Sequence, residues 1–95
     1  MPNRNYATII DPEGPAREIE LSNGDDKLLR QLRDLVGGYL EVIALPGHHM
    51  LVNEDGKANP HKVNDVATLI AHKFEAISKA DYIAGTAIII KQGIL

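Results

Sequence analysis

The chain has no cysteine, no tryptophan and a single phenylalanine, Phe74. The absence of cysteine excludes disulfide bonds, thiolate zinc sites and cysteine nucleophiles. The shortage of aromatic residues predicts a core made of isoleucine, leucine and valine. It also draws attention to the three tyrosines, Tyr6, Tyr39 and Tyr82, as candidates for specific roles.

A strong charge imbalance and a long apolar run are absent as well. The formal net charge is −3 over 95 residues, which has the wrong sign for a general nucleic-acid binder and is too small for a DNA mimic. The longest apolar run, residues 87–90, is far too short to cross a bilayer, and no signal-peptide pattern is present. We therefore expect a cytoplasmic protein, with neither a membrane nor a nucleic acid as its partner.

The composition is that of a folded protein, with 44% apolar and 24% charged residues. A chain of this length forms one domain, predicted to cover residues 1–95. Its first segment, Tyr6–Ile10, is rich in β-branched residues, and residues 17–21 alternate between polar and apolar. The turn sequence Asp11-Pro12-Glu13-Gly14 lies between them and predicts a hairpin.

A helix is predicted next. Ser22 is its expected N-cap, with Asp25 in the answering position of a capping box. The residues of its predicted inner face recur at helical spacing and are Leu28, Leu29, Leu32, Leu35 and Val36. Gly37 and Gly38 are expected to end the helix, since glycine readily adopts the left-handed conformation found there.

The second half of the chain predicts strands over residues 39–45, 49–53 and 82–91, the last interrupted by Gly85. Asn64 is the expected N-cap of a second helix. The predicted apolar face of that helix is Val63, Val66, Ala67, Ile70, Phe74 and Ile77. The resulting order is β-β-α-β-β-α-β, an α+β fold. It favours a mostly antiparallel sheet with the two helices packed on one face.

Several short motifs stand out along the chain. They are Leu32, Val36-Gly37-Gly38-Tyr39-Leu40-Glu41, Asn53-Glu54-Asp55-Gly56, Asn64 with Ala67-Thr68, and Asp81-Tyr82-Ile83-Ala84-Gly85. This pattern resembles a family of small proteins of unknown function that is common in phages, prophages and actinobacterial mobile elements. The resemblance implies a phage or mobile-element setting and a cytosolic location, and it transfers no catalytic residue.

Residue types suited to an anionic ligand that contains a base occur near the first helix. Arginine can hold a phosphate through two parallel hydrogen bonds, a tyrosine ring can stack on a base, and glycine permits close backbone approach. The predicted ligand-binding residues are Arg30, Arg33, Gly37, Gly38, Tyr39, Glu41, His48, Asn53, Asn64 and Thr68. No catalytic residue, metal ligand or cofactor is assigned.

The sequence also contains residues suited to two other kinds of site. His48 and His49 are adjacent at the start of a predicted strand. Because adjacent strand residues point to opposite faces, the two do not easily share a metal ion. Glu41, Glu54 and Asp55 are able to form a carboxylate pair for acid–base chemistry. Together with either histidine, they would serve a small hydrolase or a metal-dependent enzyme.

The leading hypothesis is a non-enzymatic phage protein that acts by stoichiometric binding. Its most specific form is a homo-oligomer that counters host defence by sequestering a nucleotide second messenger, such as a cyclic dinucleotide, between subunits. The first alternative is a module that binds and inhibits a host protein through an exposed sheet edge or the first helix. The second alternative is the small enzyme.

Overall fold

A computed structural model describes residues 4–58 and 61–95. Its elements are β1 (Tyr6–Ile10), β2 (Arg17–Glu20), α1 (Asp25–Val36), β3 (Leu40–Leu45), β4 (His48–Asn53), α2 (Asp65–Lys73) and β5 (Ala87–Lys91). The predicted α+β class and element order are confirmed. The strands form one sheet in the order β2-β1-β5-β4-β3, and each pair is antiparallel. The last strand of the chain therefore lies at the centre of the sheet.

The helices pack on opposite faces of this sheet, so the prediction that both lie on one face was wrong. Successive strand residues point to opposite faces. In β4, Leu51 belongs to a buried cluster with Leu32 of α1. Its neighbours Met50 and Val52 belong instead to a second cluster, which contains Ala71 of α2. The strand thus lies between the two helices.

The sequence does carry a signal for this two-sided burial. Met50-Leu51-Val52 in β4 and Ala87-Ile88-Ile89-Ile90 in β5 are continuous apolar runs rather than alternating ones. Such runs are typical of strands that are covered on both faces. The edge strand β2 alternates, and only Ile19 in it is partly buried.

The start of α1 differs from the prediction, whereas its inner face and end agree with it. Gly24, with φ 93°, is the N-cap and makes no side-chain hydrogen bond. The backbone N–H of Ser22, the predicted cap, donates to Oε1 of Gln31 at 2.8 Å. The buried residues of the helix are Leu28, Leu32 and Val36. Gly37 ends it in the left-handed conformation, with φ 79°.

The predicted apolar face of α2 is only partly buried. Ala67 and Ala71 are fully buried, whereas Val66 is 53% exposed. Phe74 lies beyond the last helical residue, as the C-cap, and is 47% exposed. The side of α2 that faces the sheet therefore consists of the two alanines and the partly buried Ile70, whereas Val66 and Leu69 are exposed.

The final strand begins later than predicted. It starts at Ala87, and Ala84 makes only an isolated antiparallel bridge with Val63. Gly85 separates the two, with φ 82°, and its N–H donates to the carbonyl oxygen of Lys62 at 2.8 Å. Residues 82–86 therefore form a distinct segment that runs beside the start of α2.

Asn64 joins β1, α2 and this segment. Its side chain is fully buried, and its Oδ1 accepts from the N–H of Ala67 at 3.1 Å, which confirms the predicted N-cap. Its Nδ2 donates to the carbonyl oxygens of Ile10 at 2.8 Å and Gly85 at 2.9 Å. One amide group thus satisfies three backbone groups from three parts of the chain.

We expect Asn64→Ala to lower the free energy of unfolding by about 2–4 kcal/mol, because it removes a helix cap and leaves two carbonyl groups without this donor. Urea denaturation measures the change. Asn23→Ala, at an exposed position just before α1, is the control and should change stability by less than about 0.5 kcal/mol. Equal effects of the two substitutions would contradict the role assigned to Asn64.

Candidate functional site

The predicted ligand-binding residues lie in several places rather than in one site. Arg33, Gly37, Gly38 and Tyr39 line an open groove at the end of α1, together with Asp34. Glu41 and Asn53 line a cleft on the other side of the sheet, and His48 lines a third hollow. Asn64 and Thr68 bond to the backbone inside the fold. Arg30 is exposed on α1 and lines none of these surfaces.

The groove at the end of α1, lined by Arg33, Asp34, Gly37, Gly38 and Tyr39, is called the α1 groove below. The guanidinium carbon of Arg33 lies 5.2 Å from the centroid of the Tyr39 ring, which is a cation–π contact. Tyr39 is 64% exposed. The groove therefore presents a positive charge and an accessible aromatic ring side by side.

Different features of the structure explain why glycine occupies the two positions 37 and 38 of this groove. Gly37 has a positive φ, and a Cβ built on it would meet no atom within 4 Å. Gly38 has no positive φ, but a Cβ there would lie 2.9 Å from Nδ2 of Asn53. That Nδ2 donates to the carbonyl oxygen of Val36 at 3.1 Å. Gly38 thus leaves room for a buried hydrogen bond at the end of α1.

Asn53 also organises the turn that follows β4. Its Oδ1 accepts from the N–H of Asp55 at 2.7 Å, and its carbonyl oxygen accepts from the N–H of Gly56 at 3.0 Å. A Cβ on Gly56 would lie 2.9 Å from the carbonyl oxygen of Ala84. The motif segment at residues 53–56 therefore contacts two other motif segments, the one at residues 36–41 and the one at residues 81–85.

Thr68 has a comparable role in α2. Its Oγ1 accepts from the N–H of Ile83 at 2.9 Å and lies 3.4 Å from the carbonyl oxygen of the same residue, to which it donates. With Asn64, it fixes the segment before β5 against the start of α2. The side chains of these two predicted ligand-binding residues are thus engaged in hydrogen bonds within the fold.

The cleft on the α2 side of the sheet has a volume of about 490 Å³ and is lined by several carboxylates. Its acidic lining residues are Glu41, Glu54, Asp55 and Asp81. Lys57 forms an ion pair with Asp81, and its ammonium group lies 4.9 Å from the centroid of the Tyr82 ring. Two hydrogen bonds lower the pKa of the Asp81 carboxyl below its usual value. The one from Lys57 has the larger effect, and the one from the N–H of Tyr82 has the smaller.

Lys57, Asp81 and Tyr82 are not among the predicted ligand-binding residues, although Asp81 and Tyr82 belong to one of the motifs. Lys57 and Asp81 are 24 positions apart in the chain, so no local spacing indicates their contact. The charge of the cleft argues against phosphate there, because four carboxylates and only one ammonium group line it. An anionic ligand therefore fits the α1 groove better.

The residues of the enzyme alternative are divided among different surfaces. Glu41, Glu54 and Asp55 share the acidic cleft, whereas His48 lies in the hollow lined by Arg4 and Lys91. His49 follows His48 in β4 and so points to the other face of the sheet. Within residues 4–58 and 61–95, no group of three histidine, aspartate or glutamate side chains is placed to hold a metal ion.

Comparison with known proteins places the chain in a family. Residues 5–93 match a domain of unknown function, DUF3846. The chain belongs to the DUF3846 family. No curated protein and no solved structure matches this DUF3846 chain. Neither α1 nor α2 of the described structure is long and apolar enough to cross a membrane.

The contact between Gly38 and Asn53 in the DUF3846 chain can be tested by a double-mutant cycle. We expect Gly38→Ala to lower the free energy of unfolding by about 1–2 kcal/mol, since the new Cβ displaces Asn53 from its hydrogen bond with Val36. In an Asn53→Ala background the same substitution should be neutral or slightly stabilising. Urea denaturation of the four proteins gives the coupling free energy, and a coupling near zero would contradict the contact.

Proposed function

We propose that this DUF3846 protein is a non-enzymatic binding protein whose α1 groove takes an anionic ligand that contains a base. The observation that carries the proposal is the stacking of Arg33 on Tyr39, with the two groups 5.2 Å apart at an exposed surface. Arginine supplies a bidentate donor for phosphate, and tyrosine supplies a ring for stacking. Because the two already contact each other, little side-chain ordering remains to be done on binding.

The other residues of the groove narrow the class of ligand. The space beside the Cα of Gly37 is open, so a ligand can lie against the backbone there. The N–H groups of Gly37 and Gly38 already donate to the carbonyl oxygen of Arg33, so the Arg33 guanidinium is the phosphate donor in this proposal. Asp34 lies in the same groove, and its carboxylate repels highly charged groups. A phosphodiester, with one negative charge per phosphate, is therefore favoured over a nucleoside triphosphate.

In its specific form, the proposal is that the ligand is a host nucleotide second messenger of the cyclic dinucleotide class. The protein would sequester it in the cytoplasm of the host cell, as a phage or mobile-element counter-defence. The resemblance of the motifs to phage and mobile-element proteins supports that setting, and the groove chemistry supports the ligand class. Each groove has an open side, and a second subunit of a homo-oligomer covering that side would enclose the ligand.

Calorimetric titration with cyclic dinucleotides, cyclic mononucleotides and ATP tests this function. We expect the cyclic dinucleotides to bind most tightly. Arg33→Ala and Tyr39→Ala should each weaken binding by about tenfold or more, because one removes the phosphate donor and the other the stacking ring. Tyr39→Phe keeps the ring and should stay within about threefold of the natural protein.

Arg30→Ala is the matched control, because it removes the same charge from α1 at a position outside the groove. A loss as large as that of Arg33→Ala would show that overall charge, not the groove, holds the ligand. The absence of binding to every nucleotide would overturn the proposal. The ratio of bound ligand to protein chains shows whether the groove binds alone or between subunits. One ligand per chain indicates an independent groove, and one ligand per two chains indicates a site shared by two subunits.

A second candidate function, binding to a host protein, is favoured by the β3 edge of the sheet. The N–H of Glu54 donates to the carbonyl oxygen of Tyr39 at 2.8 Å. Since bonding alternates along an antiparallel pair, the backbone groups of residues 40, 42 and 44 point away from β4. Val42 is 53% exposed there. The opposite edge, β2, instead carries charged residues that discourage pairing.

Strand addition to β3 predicts that Val42→Pro abolishes capture of a host protein, because it removes an outward N–H group. Val42→Thr preserves that N–H and should capture the same protein. Affinity purification from host lysate, with circular dichroism to confirm folding, makes the comparison. Equal capture by both variants would exclude this edge as the binding surface.

A further inference from the structure

The outward face of α2 carries apolar side chains that no other described element covers. Leu69 is 68% exposed and Val66 is 53% exposed. Ala67 and Ala71, on the opposite side of the helix, are fully buried against the sheet. The helix therefore packs against the sheet through Ala67, Ala71 and the partly buried Ile70, and it also presents two large apolar residues to solvent, where an ordinary amphipathic helix is polar.

The charges at the two ends of this face are arranged symmetrically about Leu69. Asp65 is the first residue of α2 and Lys73 is the last. Each is four positions from Leu69, and residues four apart share one face of a helix. The face thus consists of a carboxylate, an apolar centre and an ammonium group, in that order along the helix.

This arrangement is complementary to itself when two copies run antiparallel. We propose that α2 forms a homodimer interface, with a two-fold axis passing near Leu69. Asp65 of each subunit then faces the partner subunit's Lys73, and Leu69 packs against the partner's Leu69. Antiparallel helix dipoles also attract. A parallel pair would instead place like charges together at each end, which disfavours association.

This interface is separate from the subunit contact that would enclose a ligand over the α1 groove, and it does not depend on the ligand. The α1 groove belongs to the helix on the other face of the sheet, so both grooves of the dimer stay accessible. Self-association is measured without nucleotide. A protein that does not dimerise would therefore contradict the α2 interface alone, and the nucleotide titration would still decide whether the α1 groove binds a ligand.

A charge-swap experiment tests the antiparallel pairing. We expect sedimentation velocity over a concentration series to show a reversible dimer of the natural protein. Asp65→Lys and Lys73→Asp should each weaken self-association by about tenfold, because each homodimer then contains two like-charge pairs. An equimolar mixture of the two variants should restore the dimer, since both inter-subunit pairs of the heterodimer are again attractive.

Circular dichroism confirms that each variant is folded, and a mixture of folded variants that does not associate would overturn the proposal. Leu69→Gln should also weaken the dimer by about tenfold, through the apolar centre of the face. Val42→Gln changes an exposed apolar residue of β3 and should leave the dimer unchanged. Loss of the dimer in Val42→Gln but not in Leu69→Gln would overturn the proposal and place the interface at the β3 edge. A natural protein that stays monomeric at every concentration would also overturn it.

Discussion

Burial of both faces of β4 and β5 is the constraint on which the rest of the structure depends. Side chains alternate along a strand, so a strand with consecutive apolar residues exposes half of them unless both faces are covered. The chain meets this requirement by placing α1 on one face and α2 on the other. The segments on either side of α1 and α2 carry the backbone between the sheet and the helix on each face.

Two buried asparagines stabilise the places where the chain makes these changes. Asn53 bonds to the end of α1 and to the turn after β4, and Asn64 bonds to β1, to the start of α2 and to the segment before β5. Buried carbonyl and N–H groups are costly when left unpaired. The side-chain amide suits these positions because it offers a donor and an acceptor at once.

Most of the motif residues therefore have a structural role, whereas Tyr39 is both a motif residue and a proposed binding residue. Gly38, Asn53, Gly56 and Asn64 make close contacts or hydrogen bonds within the fold, so these motif residues stabilise the fold of this chain. Arg33, Tyr39 and Leu69 are exposed and can change without disturbing the core. Differences in binding among related chains are expected at such surface positions, since the fold does not restrict them.

The amino-acid sequence by itself determined the features that depend on near neighbours in the chain. The first hairpin, the inner face of α1, the left-handed end at Gly37 and the cap at Asn64 all follow from local patterns. Only the tertiary structure decided which face of the sheet each helix covers, which residues meet Asn53, and that Lys57 pairs with Asp81. The reason is physical: these contacts join residues far apart in the chain, and their geometry is set by packing across the sheet rather than by local backbone preference.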